Sequence, residues 1–471
     1  MYWQLPAMSG YVVRLLGMDL SRQSVARACL SAVLVIGSLL SFHFRKRLPS
    51  GVRSACLALI FATVAVSGVL SFRIMRSHVQ NPPQWDFRVF WMYGKVISRH
   101  GNVYQPAEYQ EFQTVFHPDT QFTQAVLQVG ATYPPHSMLL FWPLGFWDIH
   151  TAYLFWYALQ IATLILSIEL LHRLFLSGSG IWGAGLAAIL VFSLRGTWST
   201  INFGQTNFLV LLFLLLYWRD RKIPRAGVWL ALGILVKLYV VFVLLYPLLR
   251  RQWSVLVYTV VSSLLLAVAS LAVLGPTTFV SYFTLDPASH LPNWVYMERI
   301  NQSLLAVILR SSNTELRSVS PFSQPLFLIL ASLLISVTGW LVYRVRRDSD
   351  WGLALVLAMA LLLYPGTLAH YTVALLIPLL LIWKDREKIP YGAWGSVSLI
   401  AFIYGLIGLS QGNSTFAAIL ITWLVVAKLG FDSGSARNVN SARFRERNLL
   451  HNIQRHFAAF LPLSLRMLST F

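Results

Sequence analysis

The chain has 471 residues, of which 56% are hydrophobic, 14% aromatic and 11% charged, with a formal net charge of +20 and a mean hydropathy of +0.62. A soluble domain carries about 25% charged residues, so this chain lacks the polar surface to cover itself in water. The basic residues sit in short clusters between apolar runs, which fits the loops of a polytopic membrane protein and argues against a nucleic-acid footprint. Cys29 and Cys56 both fall in apolar runs, so neither a disulfide framework nor a thiolate metal site is expected.

A membrane span needs about 20 mostly apolar residues. Such runs recur at roughly 28–44, 54–72, 150–171, 181–197, 206–218, 226–249, 253–274, 325–343, 351–364, 370–383, 391–409 and 413–429. Several are short, which predicts tilted and broken helices. The first run has no convincing cleavage site after it and either spans or lies in the membrane plane. The clusters Arg45/Lys46/Arg47/Arg53, Arg219/Arg221/Lys222/Arg225, Arg250/Arg251, Arg344/Arg346/Arg347, Lys384/Arg386/Lys388 and the tail after Lys428 are expected on the cytoplasmic side. Segment 226–249 has such a cluster at both ends, so either it is a re-entrant pair of half-helices turning near Lys237, the favoured reading, or one cluster breaks the rule. Two long segments, 73–136 and 275–323, then fall outside the cytoplasm, with short turns at 195–205, 364–370 and 410–413. The expected fold is an all-α polytopic bundle: residues 1–53 an interfacial segment with an extra apolar helix, 54–430 the transmembrane domain, 431–471 a basic cytoplasmic tail.

The first long loop leads through Asn81-Pro82-Pro83-Gln84-Trp85-Asp86 into a helical pattern with Phe87, Phe90, Trp91 and Gly94 on one face and Arg88, Lys95 and Arg99 opposite. Such a helix is expected to lie in-plane on the bilayer surface. Asp86 at its start reads either as an N-cap complementing the helix dipole or as a catalytic carboxylate. Tyr133-Pro134-Pro135-His136 is an extended lead-in to a helix, with His136 as a site candidate. Gln205 and Asn207, at the outer end of a span, either cap it or hydrogen-bond sugar hydroxyls, since amides offer donor and acceptor together. Lys237 costs about 2.5–3.5 kcal/mol at mid-membrane, so it marks a functional site, such as a phosphate pocket, unless it snorkels. Arg299, Asn301 and Gln302 enter another amphipathic stretch. His370, on the turn Tyr364–Tyr371, reads as a proton carrier, a phosphate partner or a helix cap.

No Walker loop, dinucleotide glycine fingerprint or HExxH pair occurs, and no acidic cluster suggests a metal; neither metal nor cofactor is expected. An enzyme facing away from the cytoplasm has no nucleotide-activated donor at hand, so a lipid-carried donor is the natural alternative.

In order along the chain, Asp86-Phe87, Tyr104-Gln105-Pro106, Tyr133-Pro134-Pro135, Gly204-Gln205-Thr206-Asn207, Lys237-Leu238-Tyr239, Asn301-Gln302-Ser303 and His370-Tyr371 resemble the polyprenol-phosphate-mannose-dependent mannosyltransferases of glycosyltransferase family 87, within the GT-C superfamily. The resemblance runs from about residue 54 to 430. The chain departs from it in its extra N-terminal run and in having a single histidine before Tyr371, where relatives often have two. The resemblance implies an inverting transferase of the cell (inner) membrane, multi-pass, with its active site facing the periplasm or exterior. Asp86 would be general base, with His370 as a second catalytic residue. Lys237, Arg299 and His370 would hold the donor phosphate. Tyr133, Gln205, Asn207, Asn301 and Gln302 would line the sugar or acceptor cavity. Its partners would be a polyprenyl-phosphate sugar and a lipid or glycan acceptor. Two rivals stand beside it: a transporter or flippase of lipid-linked sugars, which should show internal repeats with paired broken helices, and an assembly protein, which leaves Lys237 and Asp86 without a purpose.

Overall fold

The computed structural model describes residues 13–15, 18–20, 22–80, 86–113, 130–284, 296, 299–311, 324–345, 349–409 and 412–432. The expected basic tail after 432 and much of both long loops lie outside the described residues. A short antiparallel hairpin pairs Val13–Leu15 with Met18–Leu20; the remaining regular structure is helical. The α-helices begin with α1 (Arg22–Phe44), α2 (Ser50–Gln80), α3 (Asp86–Ser98), α4 (Pro135–Phe141), α5 (Ile149–Phe175), α6 (Gly180–Ser193), α7 (Arg195–Phe203) and α8 (Asn207–Asp220). They continue with α9 (Ala226–Val236), α10 (Leu245–Leu249), α11 (Trp253–Leu274), α12 (Pro276–Thr284), α13 (Leu304–Ser311), α14 (Pro325–Arg344), α15 (Trp351–Leu363), α16 (Leu376–Lys384) and α17 (Gly392–Leu409), and end with α18 (Ser414–Asp432).

Seven of these, α1, α2, α5, α11, α14, α17 and α18, are long and apolar enough to cross a membrane, and α6 with α7 forms an eighth candidate bent by 67°. The long helices turn apolar side chains outward, such as Leu59 and Val66 on α2 or Leu264 and Leu265 on α11. Lipid tails are as apolar as leucine, so these positions carry no cost in a bilayer. The short helices α8, α15 and α16 are buried along almost their whole length. The protein is therefore a multi-pass membrane bundle in which long helices surround short ones.

Two segments of short helices turn back before crossing, 226–249 and 351–384. α8 ends on the basic face, where buried Asp220 accepts from Arg219, Arg225 and the Trp229 ring N–H. α9 then rises from that face: Gly227 in its first turn is packed so tightly on the start of α11 that a Cβ would lie 2.6 Å from the Thr259 nitrogen. At Lys237 the helix breaks, with φ −149° and ψ 123°, and the chain continues as a 3-10 segment, Leu238–Leu244, into α10. The end of α10 is back at the basic face, where Tyr246 meets Arg221 and Arg250 donates to the Val345 carbonyl at 3.0 Å. Both ends of 226–249 thus share one side, as a re-entrant pair requires. α15 and α16 form a second such hairpin: Asp350 before α15 pairs with Arg221 and Lys384, and between the two helices the chain breaks at 364–368 and runs through a 3-10 segment, Ala369–Leu375.

α1 lies alongside α17 and also against α6. Gly408 near the end of α17 leaves no room for a Cβ beside Ala28, while Phe42 near the other end of α1 meets Trp383. It runs along a second helix that is long and apolar enough to cross a membrane, the packing that the spanning reading of the first apolar run requires.

α3 forms over the expected residues, but its aromatic face does not lie on lipid. Phe87, Phe90, Trp91 and Tyr93 are buried against α4, α5 and the 3-10 turn Trp142–Phe146. Phe90 stacks on Phe141 at 4.3 Å, and a Cβ on Gly94 would stand 2.6 Å from the Gly145 nitrogen. Amphipathic periodicity specifies that one face is apolar; whether lipid or protein covers it depends on what the following 50 residues supply.

Candidate active site

The apices of the two hairpins, the α7–α8 turn and the start of α3 meet on the side away from the basic cluster. The α7–α8 turn is set by Gly204, which adopts the left-handed φ of 69°, a conformation cheap only for glycine. Its carbonyl accepts from the Trp156 ring N–H at 2.7 Å. A Cβ there would be 2.8 Å from Cβ of Phe87. This close approach sets the neighbours of those two residues, Asp86 and Gln205, side by side. A Gly204→Ala protein is expected to lose about 2–4 kcal/mol from strain and overlap. Its thermal unfolding in detergent should show that loss.

Lys237 is buried and caps α9 where the helix stops, its N–H making the last helical bond, to the Gly233 carbonyl at 2.9 Å. Its ammonium donates to Gln205 Oε1 at 2.9 Å, to the Tyr371 hydroxyl at 3.0 Å and to the Tyr133 hydroxyl at 3.3 Å. All three donors of the ammonium are used, and its charge also stands 4.3 Å over the Tyr371 ring. With its Oε1 committed to Lys237, the Gln205 amide presents its NH2 to Asp86, which lies within hydrogen-bonding reach. Gln205 therefore bridges the carboxylate and the ammonium, which do not pair directly. Burial pushes the Asp86 carboxyl above its ordinary range, against the opposing pull of Gln205 and Lys237.

His370 is buried at the start of the 3-10 segment after the 364–368 break, with its ring edge-on to Phe203 at 6.3 Å. Its Nε2 has no hydrogen-bond partner among the described residues, and Lys237 is its charged neighbour. Asn207 opens α8 and donates to Thr200 Oγ1 at 3.0 Å; its Oδ1 and the Thr206 hydroxyl have no partner among the described residues. Buried polar atoms without partners in an apolar bundle are costly unless a ligand or water satisfies them.

Asn301 and Gln302 are placed differently. The Asn301 amide donates to the Pro365 carbonyl at 2.8 Å and its Oδ1 accepts from the Ser303 N–H. The Gln302 amide donates to the Arg299 and Gly412 carbonyls and accepts from the Phe416 N–H. Their backbones pair with the Thr367–Ala369 strand-like stretch. These side chains staple the second long loop to the turn that carries His370 and to the start of α18. Arg299, at the same loop, is exposed. His136 and Ser137 act on α9 instead: Ser137 donates to the Leu235 carbonyl at 2.6 Å, His136 bonds the Ile234 backbone, and together they occupy carbonyls freed where the helix stops before Lys237.

Tyr371 belongs to the site as firmly as His370, although the sequence reading gives it no role beyond its place in the His370-Tyr371 pair. The signal was available: a tyrosine inside an apolar run needs a polar partner for its hydroxyl, and Lys237 was the unpaired charge.

Comparison with curated proteins and with solved structures gave no match. Glycosyltransferase family 87 matches residues 131–370, a segment that carries Tyr133, Gln205, Asn207, Lys237 and His370, though not Asp86. With half of the chain matched, the chain belongs to glycosyltransferase family 87 and is a membrane glycosyltransferase.

Proposed function

We propose that the protein moves a sugar, mannose by family resemblance, from a polyprenyl-phosphate donor to a hydroxyl of a lipid or glycan acceptor, with inversion, on the non-cytoplasmic face of the cell membrane. The observation that carries this reading is the convergence of one carboxylate, Asp86, with one buried ammonium, Lys237, through the Gln205 amide. The side assignment rests on the basic helix ends, which gather opposite this site and belong in the cytoplasm by the positive-inside rule.

The chemistry needs one base and one anion-stabilising group. Asp86 takes the proton of the acceptor hydroxyl as its oxygen attacks the anomeric carbon. The bond from that carbon to the phosphate oxygen breaks, and polyprenyl phosphate leaves with the electron pair. A phosphate is a stable leaving anion, so the second, proton-donating carboxyl that glycoside hydrolysis uses is not required. Lys237 offsets the charge that grows on the departing oxygen. The Tyr133 and Tyr371 hydroxyls accept from Lys237 and keep their own protons to donate to a phosphate or sugar oxygen. His370 Nε2 and Asn207 Oδ1, without partners among the described residues, are groups that a sugar would satisfy.

The test supplies polyprenyl-phosphate mannose, and separately a nucleotide-activated mannose, to the purified protein with lipid and glycan acceptors. A new glycosidic product from the lipid-linked donor alone supports the reading; product from the nucleotide sugar alone overturns it. The pH profile gives a second check. Asp86 works only when deprotonated, and burial raises its pKa. The rate should therefore fall on acidification at a pH above the ordinary carboxylate range, with a plateau above that limb. An acid limb at or below the ordinary carboxylate value would remove Asp86 from the base role.

A further inference from the structure

A second built site lies on the basic face, where α1 ends beside the turn between α16 and α17. The rings of Phe42 and Trp383 meet edge to face at 6.1 Å. The Arg45 guanidinium lies 4.1 Å over the Phe42 ring and donates to the Phe42 carbonyl at 2.6 Å. The Arg386 guanidinium lies 4.9 Å over the Trp383 ring and donates to the Trp383 carbonyl at 3.2 Å. One aromatic pair thus carries two cations close enough to repel each other. The His43 ring sits 6.4 Å from Trp383, with a buried Nδ1 that has no hydrogen-bond partner among the described residues, and Arg47 adds a further charge nearby.

Counter-charge is sparse. Glu387 stands 3.6 Å from Arg386 but is 76% exposed, and Asp385 is paired with Lys388 at 2.7 Å. Two guanidiniums, each fixed by its own carbonyl and ring on one aromatic pair and with no buried carboxylate beside them among the described residues, make a preformed receptor for a phosphate. The surroundings select a lipid. The cluster is level with the ends of two membrane-crossing helices, and Trp394 and Tyr391, 57% and 89% exposed, flank it as interfacial aromatics do. Phe44 lies 6.0 Å from Trp394. On α1 and α17, Leu30, Val33, Ile36 and Phe402 turn outward, apolar surface along which acyl chains can lie.

We infer that Arg45 and Arg386, with His43 beside them, bind the phosphodiester headgroup of an anionic phospholipid at the seam between α1 and α17. The consequence is structural coupling: α1 lies outside the family segment at 131–370, and an anionic lipid would tie its end to the turn that follows α16, the helix descending from His370.

The test uses the full chain in neutral detergent. Native mass spectrometry of the unaltered protein in an equal mixture of phosphatidylglycerol and phosphatidylcholine should show about thirtyfold preference for the anionic lipid, as two juxtaposed basic residues imply. An Arg45→Gln/Arg386→Gln double variant should lose most of that preference. An Arg53→Gln/Lys428→Gln variant, with the same charge change on the same face, should keep it. Thermal unfolding of the unaltered protein should rise with phosphatidylglycerol and not with inorganic phosphate. Equal retention of the two lipids by the unaltered protein overturns the inference without any variant having to fold. So does an unchanged preference in the Arg45/Arg386 variant, or a full thermal shift with inorganic phosphate alone, which would make this a free-phosphate site.

Discussion

Replacing Asp86 with asparagine should slow transfer by about 10²–10⁴-fold, the range for removal of a general base, while leaving the protein folded and able to bind its donor. Asparagine has the shape of aspartate, and its Oδ1 still accepts from the Gln205 NH2 that lies beside Asp86. The packing of Phe87 against Gly204 is untouched. What is lost is the proton acceptor. The loss should therefore fall on kcat with KM for the donor nearly constant, and the residual rate should lose the acid limb that the carboxyl imposes. Product formation at saturating donor, followed by mass spectrometry across pH, measures both. A folded Asp86→Asn protein as fast as the parent would end the general-base assignment and leave Asp86 as the capping residue of α3.

Replacing Lys237 with methionine should lower kcat by about 10²–10³-fold, the cost of losing one preorganised group that stabilises transition-state charge. Methionine fills similar space, so the hairpin apex keeps its packing. The buried charge disappears, and with it a desolvation cost, so thermal stability should hold near the parent value even though the Gln205 Oε1 and the Tyr133 and Tyr371 hydroxyls lose a donor. Stability retained with catalysis lost separates an electrostatic role from a structural one. A large fall in unfolding temperature with proportionate loss of rate would instead make Lys237 a scaffold residue. An arginine at this position is expected to fail as well. Its planar fork does not match three acceptors arranged around one ammonium.

The spans were legible because membrane solvation imposes a strong one-dimensional signal: every crossing segment must be apolar and about 20 residues long. The charge clusters made the 226–249 segment stand out, since basic residues at both its ends conflict with a simple crossing, and the contacts of Tyr246 with Arg221 place both ends together. Lys237 was legible for a related reason: a charge in an apolar run has no local explanation, so it needs a distant one. Asp86 was only half legible. An acidic residue at a helix start has a local explanation, and nothing local distinguishes a cap from a base.

Hydropathy treats lipid and protein interior alike, and that is where the sequence stops. It could not say that the aromatic face of α3 is covered by α4 and α5, because both surroundings satisfy the same apolar pattern. Nor could it separate the amides. Gln205 and Gln302 look alike in the chain; in three dimensions one bridges Lys237 and Asp86, while the other is consumed by the backbone at Arg299, Gly412 and Phe416. An amide is satisfied by whichever donors and acceptors the fold brings to it, and that is a property of four distant segments at once. Composition and charge therefore determined that this protein is a polytopic membrane bundle with a buried lysine. Only the tertiary structure decided which carboxylate, amide and tyrosines that lysine meets, because their meeting depends on the Gly204 turn and on two helices that break before they cross.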